Sequence, residues 1–461
     1  LIREENHYLI VRYLKSPIID LGGGELPSRK AIKMDPANLH IVKDGLVRTI
    51  CVDGCREPKA ILSLWTLLAE GGHLIAANPL DEETTKTLRS NGRYQVIESE
   101  PFQVIRKMGG KGGQIPHERP TPAPGQKTIC LVRYGGYGDH IMMSAVIDHY
   151  HNDGWWVVYN TNRKGRDVFK GDPRINEYID HEDNIIVAEN KPLDEYWGKL
   201  SRHYDKFINF AEIAEKSLLR IEGRQPEYND SWIKRHADCN RNYYDEHFMR
   251  CGLPEIKGRG PAIWLSDKER KWAREEVELA RRKTGKTFIV LWNIMGSSFH
   301  KMYPWAHDVW LLCGHNGDDI GFITVSDAFG SYLEEKRFEN MLPRAGKYTI
   351  RQTLAIHSAV DAVVSTETNS MNAGLGYPAP VVALLSHSSK EQFPWRPQDV
   401  PVAPNLKEVP CYPCHQLHYS RLGCLQGPRN TGATACMEAI TPGEIYQILL
   451  RLRNEHNALI A

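Results

Sequence analysis

Three groups of residues in this chain have the types and spacing to do chemistry. The first lies in KTICLVRYGGYGDHIMMSAVIDHY, residues 127–150, where Asp139 follows Gly135, Gly136 and Gly138. A carboxylate there either caps a helix that begins at the turn, or stands at the rim of a cleft as a base for a hydroxyl proton. The second is SPIIDLGGGELP, where Asp20 precedes Gly22, Gly23 and Gly24, with Asp35 closing the next apolar run. Glycines after a first strand let a ligand approach the backbone, and an acid after the second can accept from ribose hydroxyls. The third is Cys411, Cys414, Cys424 and Cys436. A C-x-x-C knuckle followed by two thiols has the spacing of a structural zinc site, with His415 or His418 as substitutes. A disulfide pair and simple buried thiols are the alternatives.

The elements that must carry these groups are legible in the pattern. Ile129 to Tyr134 reads as a buried strand, and Ile141, Met142, Ala145, Val146 and Tyr150 recur at helical spacing after the glycine turn. Strands alternate with helices onward to about residue 265: GWWVVYNT, a short helix at 165–170, an edge-like NEYIDH, and YDKFINF. AEIAEKSLLRIE is expected to be helical, and NRNYYDEHFMRCGLP to be a helix stopped by Gly252 and Pro254. Trp155, Trp156, Tyr243 and Tyr244 are expected to pack in the core or its rim, acceptor stacking being the alternative. SDKERKWAREEVELARRKTGK is a charged helix leading to a second strand–helix series from KTFIVLWNI. Parallel, doubly wound sheets follow from that alternation. The expected fold class is α/β: two Rossmann-like domains (127–268 and 269–461), a glycine- and proline-rich linker (109–126), and a small Rossmann-like domain (1–108).

Composition narrows the classes. Of 461 residues, 25% are charged and the formal net charge is +1, which gives no global attraction to nucleic acid. No run approaches the ~20 apolar residues of a membrane span. LIREENHYLIVRYL lacks a signal-peptide core, and ten cysteines in so long a chain do not make a disulfide framework. A cytoplasmic location is expected.

IIDLGGGE, the acid of KMD and EGGHLIAANP, read as helix end, glycine turn and strand, resemble class I S-adenosylmethionine methyltransferases. GCREPK after Asp53 shows no catalytic motif of that family, so the resemblance implies a degenerate domain. Any S-adenosylmethionine site would use Asp20, Gly22, Gly24 and Asp35.

Four further segments, in order, resemble the heptosyltransferase family of inverting GT-B glycosyltransferases, which build lipopolysaccharide core. They are VRYGGYGDHIMMSAVI, IMGSSFHKMYPW, STETNSMNAGLGYPAPVVALL and SHSSKEQFPWRP. The resemblance spans about residues 127–445 and implies Asp139 as general base beside Gly136 and Gly138. It implies Lys301 on the phosphates of a nucleoside diphosphate-sugar, with Ser297 and Ser298 donating to them. Thr368 would open the nucleotide-facing turn and Glu367 would hold ribose. Glu367, Asn369 and Asn372 stand where the family has Asp, Gly and His, which bears on donor identity more than on reaction class. Arg133 is expected to be structural, and no catalytic metal is expected.

The activity implied is sugar transfer to an acceptor hydroxyl, the acceptor being a surface saccharide. Two alternatives stand beside it. One is transfer to hydroxymethylated bases of viral DNA, with Arg220, Arg224, Lys234 and Arg235 as a basic patch. The other is a methyltransferase carrying a glycan-binding module.

Overall fold

A computed structural model describes residues 122–180, 197–198, 200–211, 218–221, 226–296, 298, 301–326, 330–331, 334, 338–418, 424, 427 and 431–460, together with six strands before them. The chain divides into two compact units, the second comprising Arg119–Asp180 and Lys199–Ala461.

The first unit contains β1 (Ile18–Asp20), β2 (Ala31–Lys33), β3 (Val47–Val52), β4 (Leu68–Ala76), β5 (Tyr94–Glu98) and β6 (Gln103–Lys107). They form one sheet in the order β2-β1-β3-β4-β6-β5, parallel except that β6 runs against β4 and β5. Asp20 ends β1, whereas Gly22, Gly24 and Asp35 lie outside the described residues. One expectation is corrected. The Gly71–Gly72 pair, read as a turn, lies within β4. Its pairing to β3 steps from Val47 opposite Leu68 to Thr49 opposite His73, so the two glycines fall at a register shift inside the strand and not at a turn between elements.

In the second unit, lobe one holds β7 (Thr128–Arg133), α1 (Tyr137–Asn152), β8 (Trp156–Thr161), α2 (Arg163–Val168), β9 (Glu177–Asp180) and β10 (Lys206–Asn209). After them come β11 (Arg220–Ile221), α3 (Trp232–Cys239) and α4 (Tyr243–Arg250). The sheet is parallel in the order β10-β7-β8-β9. β7 is buried along its whole length, as a parallel strand covered on both faces must be. Arg220 and Ile221, expected in a helix, form a strand because Gln416 and Leu417 of the other lobe pair with them.

Lobe two begins with α5 (Asp267–Thr284), closed by a Ser266–Glu269 capping box and by Gly285 at φ 67°. β12 (Phe288–Asn293), α6 (Ala306–His315), β13 (Ile320–Val325), β14 (Met341–Pro343) and α7 (Ile350–Ile356) follow. Then come β15 (Ala362–Thr366), α8 (Asn369–Gly374), β16 (Val381–Leu384), β17 (Val400–Val402), β18 (Gln416–Leu417) and α9 (Pro442–Ile460). Its sheet is parallel in the order β14-β13-β12-β15-β16-β17.

Each sheet has a point where the winding reverses, between β7 and β10 in lobe one and between β12 and β15 in lobe two. Such points open a crevice at the carboxyl ends of the strands. Asp139 follows β7, Lys301 follows β12, and Thr368 follows β15. The fold therefore sets the sequence-picked residues at both crevices.

The lobes pack directly on each other. A Cβ placed on Gly138 of α1 would lie 3.8 Å from the Asn369 Cα and 3.7 Å from Asn372 Nδ2 of α8. Arg351 of α7 donates to the Val168 carbonyl at 2.7 Å and the Trp264 carbonyl at 2.9 Å while paired with Glu269. β11 pairs with β18, and Gln392 reaches the carbonyls of Leu218 and Cys239 at 3.1 and 2.8 Å.

Candidate active site

Lobe one contributes a buried ion pair. Arg133, the last residue of β7, has no solvent exposure. It donates through Nη1 to the Phe210 carbonyl at 2.8 Å and through Nη2 to Asp139 Oδ1. The other carboxylate oxygen accepts the Gly136 N–H at 2.6 Å. Asp139 keeps 19% exposure, so it is held from behind and open in front. Burial pushes its pKa up, but Arg133 and the Gly136 N–H together bring it below the usual carboxylate range. Asp139 is thus ionised at neutral pH, and the ion pair adds to what the helix end supplies.

The glycine turn is shaped for this. Gly135 sits at φ +123°, and a Cβ there would lie 2.5 Å from Asp139 Oδ2. The turn is buttressed from below by His140, whose Nε2 is 3.0 Å from Asn162 Oδ1 and whose Nδ1 is 2.7 Å from the Tyr159 hydroxyl. Burial lowers the His140 pKa to about 3, so the ring is neutral. It donates from Nε2 and accepts the Tyr159 proton at Nδ1. Asn162 Nδ2 then holds the Gly135 carbonyl at 3.2 Å.

Lobe two contributes a cation and hydroxyls. Lys301 packs with Gly296 and Thr368: a Cβ on Gly296 would come within 2.8 Å of both side chains. Burial lowers the Lys301 pKa, and the carboxylates of Glu367 and Asp139 partly restore it. Among the described residues no hydrogen-bond acceptor reaches its ammonium. Ser298 is 3% exposed, and its hydroxyl has no partner among the described residues. Ser297 lies outside them. Thr368 caps α8 by accepting the Ser370 N–H at 3.1 Å, and its hydroxyl lies 2.9 Å from Ser365 Oγ.

Glu367 is buried and fully engaged. Its Oε1 accepts from the N–H groups of Ser386 (2.8 Å), His387 (3.1 Å) and Ser388 (3.1 Å), and its Oε2 from Ser386 Oγ at 2.6 Å. Asn372 accepts the Tyr244 hydroxyl at 3.0 Å and donates to the Thr368 carbonyl at 3.1 Å. Asn369 opens α8 against Gly138. Tyr244 is the contributor that the sequence did not single out for this position. It lies 128 residues from Asn372, and no local signal marks the pair. Trp155 packs against the core beside Tyr150, and Tyr243 is buried.

Arg220 pairs with Asp238, Lys234 with Asp230, and Arg235 with the carbonyls of Cys414 and Asp230. Arg224 lies outside the described residues. Arg220 is buried with its side chain engaged, whereas the Lys234 side chain keeps 58% exposure.

Cys411, Cys414, Cys424 and Cys436 line one pocket together with Ser386 and Tyr412. Among the described residues no three ligating side chains converge closely enough to hold a metal ion. Closing to Zn–S distances of about 2.3 Å would require the thiols to draw together. His415 instead faces His236, with Nε2 3.0 Å from its Nδ1, and His418 bonds the Tyr228 hydroxyl. Because Ser386 also bonds Glu367, the thiol pocket backs onto the Lys301 side of the cleft.

The second unit thus sets a carboxylate on one parallel α/β lobe and a cation on the other. No protein-family model matches the chain, and no curated protein matches it. Among solved structures it is similar to the glycosyl transferase family 9 protein of Veillonella parvula, at 14% identity and TM-score 0.49, over 71% of this chain and 98% of that one. It is likewise similar to the ADP-heptose lps heptosyltransferase II of E. coli, at 14% identity and TM-score 0.48, over 72% of this chain and 99% of that one. Among the described residues no helix is long and apolar enough to cross a membrane.

Proposed function

We propose that the second unit is an inverting GT-B glycosyltransferase that moves a sugar from a nucleoside diphosphate-sugar to an acceptor hydroxyl. The observation that carries this is the pairing of groups across the cleft. An ionised, partly exposed Asp139 stands on lobe one, and on lobe two the Lys301 ammonium has no acceptor within hydrogen-bond reach among the described residues. Diphosphate is the anion chemistry such a cation fits, and Ser298 adds a buried hydroxyl beside it.

In the transfer, the acceptor oxygen bonds to the anomeric carbon from the face opposite the nucleotide. Asp139 takes the acceptor's proton. Oδ1 and Oδ2 each already accept one hydrogen bond and each retains a lone pair for that proton. The bond between the anomeric carbon and the phosphate oxygen breaks, and its electron pair leaves with the nucleoside diphosphate. Lys301 and Ser298 offset the charge that develops there. The acceptor is a saccharide hydroxyl. No metal enters these steps. A structural zinc belongs to the proposal as well: Cys411, Cys414, Cys424 and Cys436, which line one pocket, would hold it once drawn together.

The first unit's order β2-β1-β3-β4-β6-β5, with one antiparallel strand, supports a methyltransferase-like sheet. S-adenosylmethionine is the ligand it would take.

Thermal shift against a panel of nucleoside diphosphate-sugars, followed by donor hydrolysis and transfer assays, tests the proposal. Stabilisation by at least one donor with slow release of nucleoside diphosphate is expected. Stabilisation by S-adenosylmethionine alone would shift the activity to the first unit.

A further inference from the structure

Glu367 stands at the nucleotide-facing turn, where a carboxylate is expected to hold ribose. Its surroundings give it other work. Oε1 already accepts three backbone N–H groups in a row and Oε2 a hydroxyl, at 2.6–3.1 Å. A carboxylate has about four lone-pair sites, so this one is nearly filled. Its side chain is 4% exposed, which leaves no face for a ribose. His387 Nδ1 lies 3.5 Å from Oε1, but burial and the charge of Lys301 keep that imidazole neutral, so no ion pair forms. The N–H groups of residues 386–388 converge because an anion sits among them. Without it they would be buried and unpaired.

From this we infer that Glu367 is a positioning residue for the donor diphosphate: it orders the 386–388 turn from the end of β15, where the Thr366 hydroxyl holds the Lys301 backbone carbonyl at 3.1 Å, and makes no contact with the nucleoside. The inference rests on the transferase assignment above and changes what one residue of that site does. It also gives the Glu in place of Asp a reason. The longer side chain reaches from the end of β15 to the turn after β16, and an aspartate there is one methylene short.

The test compares Glu367→Asp and Glu367→Gln with the wild type, using inorganic pyrophosphate and ADP as probes by calorimetry. Glu367→Asp should weaken both by the same factor, about tenfold, because the turn is lost equally to both. Glu367→Gln should stay within about threefold for both, since an amide oxygen still accepts from the three N–H groups. Loss of ADP affinity in either variant with pyrophosphate affinity intact would overturn the inference and make Glu367 a ribose ligand. Amide exchange at residues 386–388 is read in parallel, without any ligand. Exchange at least tenfold faster in Glu367→Asp, recovered in Glu367→Gln, is expected. Unchanged exchange would overturn the inference even if neither probe binds the wild type, a result that would itself sink only the transferase assignment.

Discussion

Arg133 Nη2 donates to Asp139 Oδ1 from a side chain with no solvent exposure, and Asp139 faces the cleft from the other side of that bond. The carboxylate that the sequence presents as either a cap or a base has the geometry for both. It accepts the Gly136 N–H at the start of α1 and remains open to a substrate. What keeps it charged is chiefly a buried guanidinium, so the charge of the proposed base depends on the packing of lobe one.

Replacing Asp139 should therefore cost more than activity. Asp139→Ala leaves Arg133 buried without its counter-charge, a loss of about 3–5 kcal/mol. Asp139→Asn keeps a hydrogen-bond acceptor for Arg133 and should fold better. Both should lose transfer, while nucleotide-sugar binding to the folded fraction persists. Denaturant unfolding and transfer assays on the two variants check this. Full activity in Asp139→Asn would sink the base assignment.

The pH profile should carry the mark of Arg133. The folded-state pKa of Asp139 lies below its unfolded value. The pair's stability contribution is therefore complete above the ordinary aspartate pKa of about 3.9 and is lost as pH falls through the depressed value. The acidic limb of the transfer rate should lie below that ordinary value. Arg133→Met removes the main charge that depresses the pKa, and the limb should move upward. A limb that stays in place would mean that another group titrates there.

Lys301 gives the opposite limb. Burial holds its pKa below the ordinary lysine value, and a bound diphosphate would raise it. Donor affinity should accordingly fall with rising pH, beginning below the usual lysine range near 10.4. Lys301→Met should cut transfer by about 10²–10³-fold and abolish that pH dependence. Calorimetry of ADP across alkaline pH measures both effects.

The thiols can be read separately. Cys411 is exposed, Cys414 and Cys436 are buried, and Cys424 lies between. Protein purified without chelator should contain one zinc per chain, and its removal should lower the unfolding midpoint. Metal-free protein whose Cys411 reacts at once, with Cys414 and Cys436 silent until unfolding, would leave plain thiols.

Local pattern carried much of this architecture, and long-range pairing carried the rest. The strand, turn and helix around Asp139 follow from apolar spacing and glycines within one short stretch. The side on which Arg133 turns inward depends on the Phe210 carbonyl, which only the folded sheet brings near. Glu367 could be picked as an acid at a crevice, but its four donors lie 19 to 21 residues on, beyond β16. Arg220 and Ile221 sit in a helical-looking stretch and become a strand through a partner near residue 416. Propensity yields there to a pairing the sequence alone does not announce.

That short ladder has a mechanical consequence. One strand of each lobe shares it, with the Arg220 N–H on the His415 carbonyl at 2.9 Å and the Gln416 amide on the Tyr228 carbonyl at 2.7 Å. A clamshell swing of one lobe away from the other would strip these bonds, each worth about 1 kcal/mol, along with those of Arg235 and Gln392. The seam acts as a hasp on one flank of the second unit, and parting the lobes there would require it to yield.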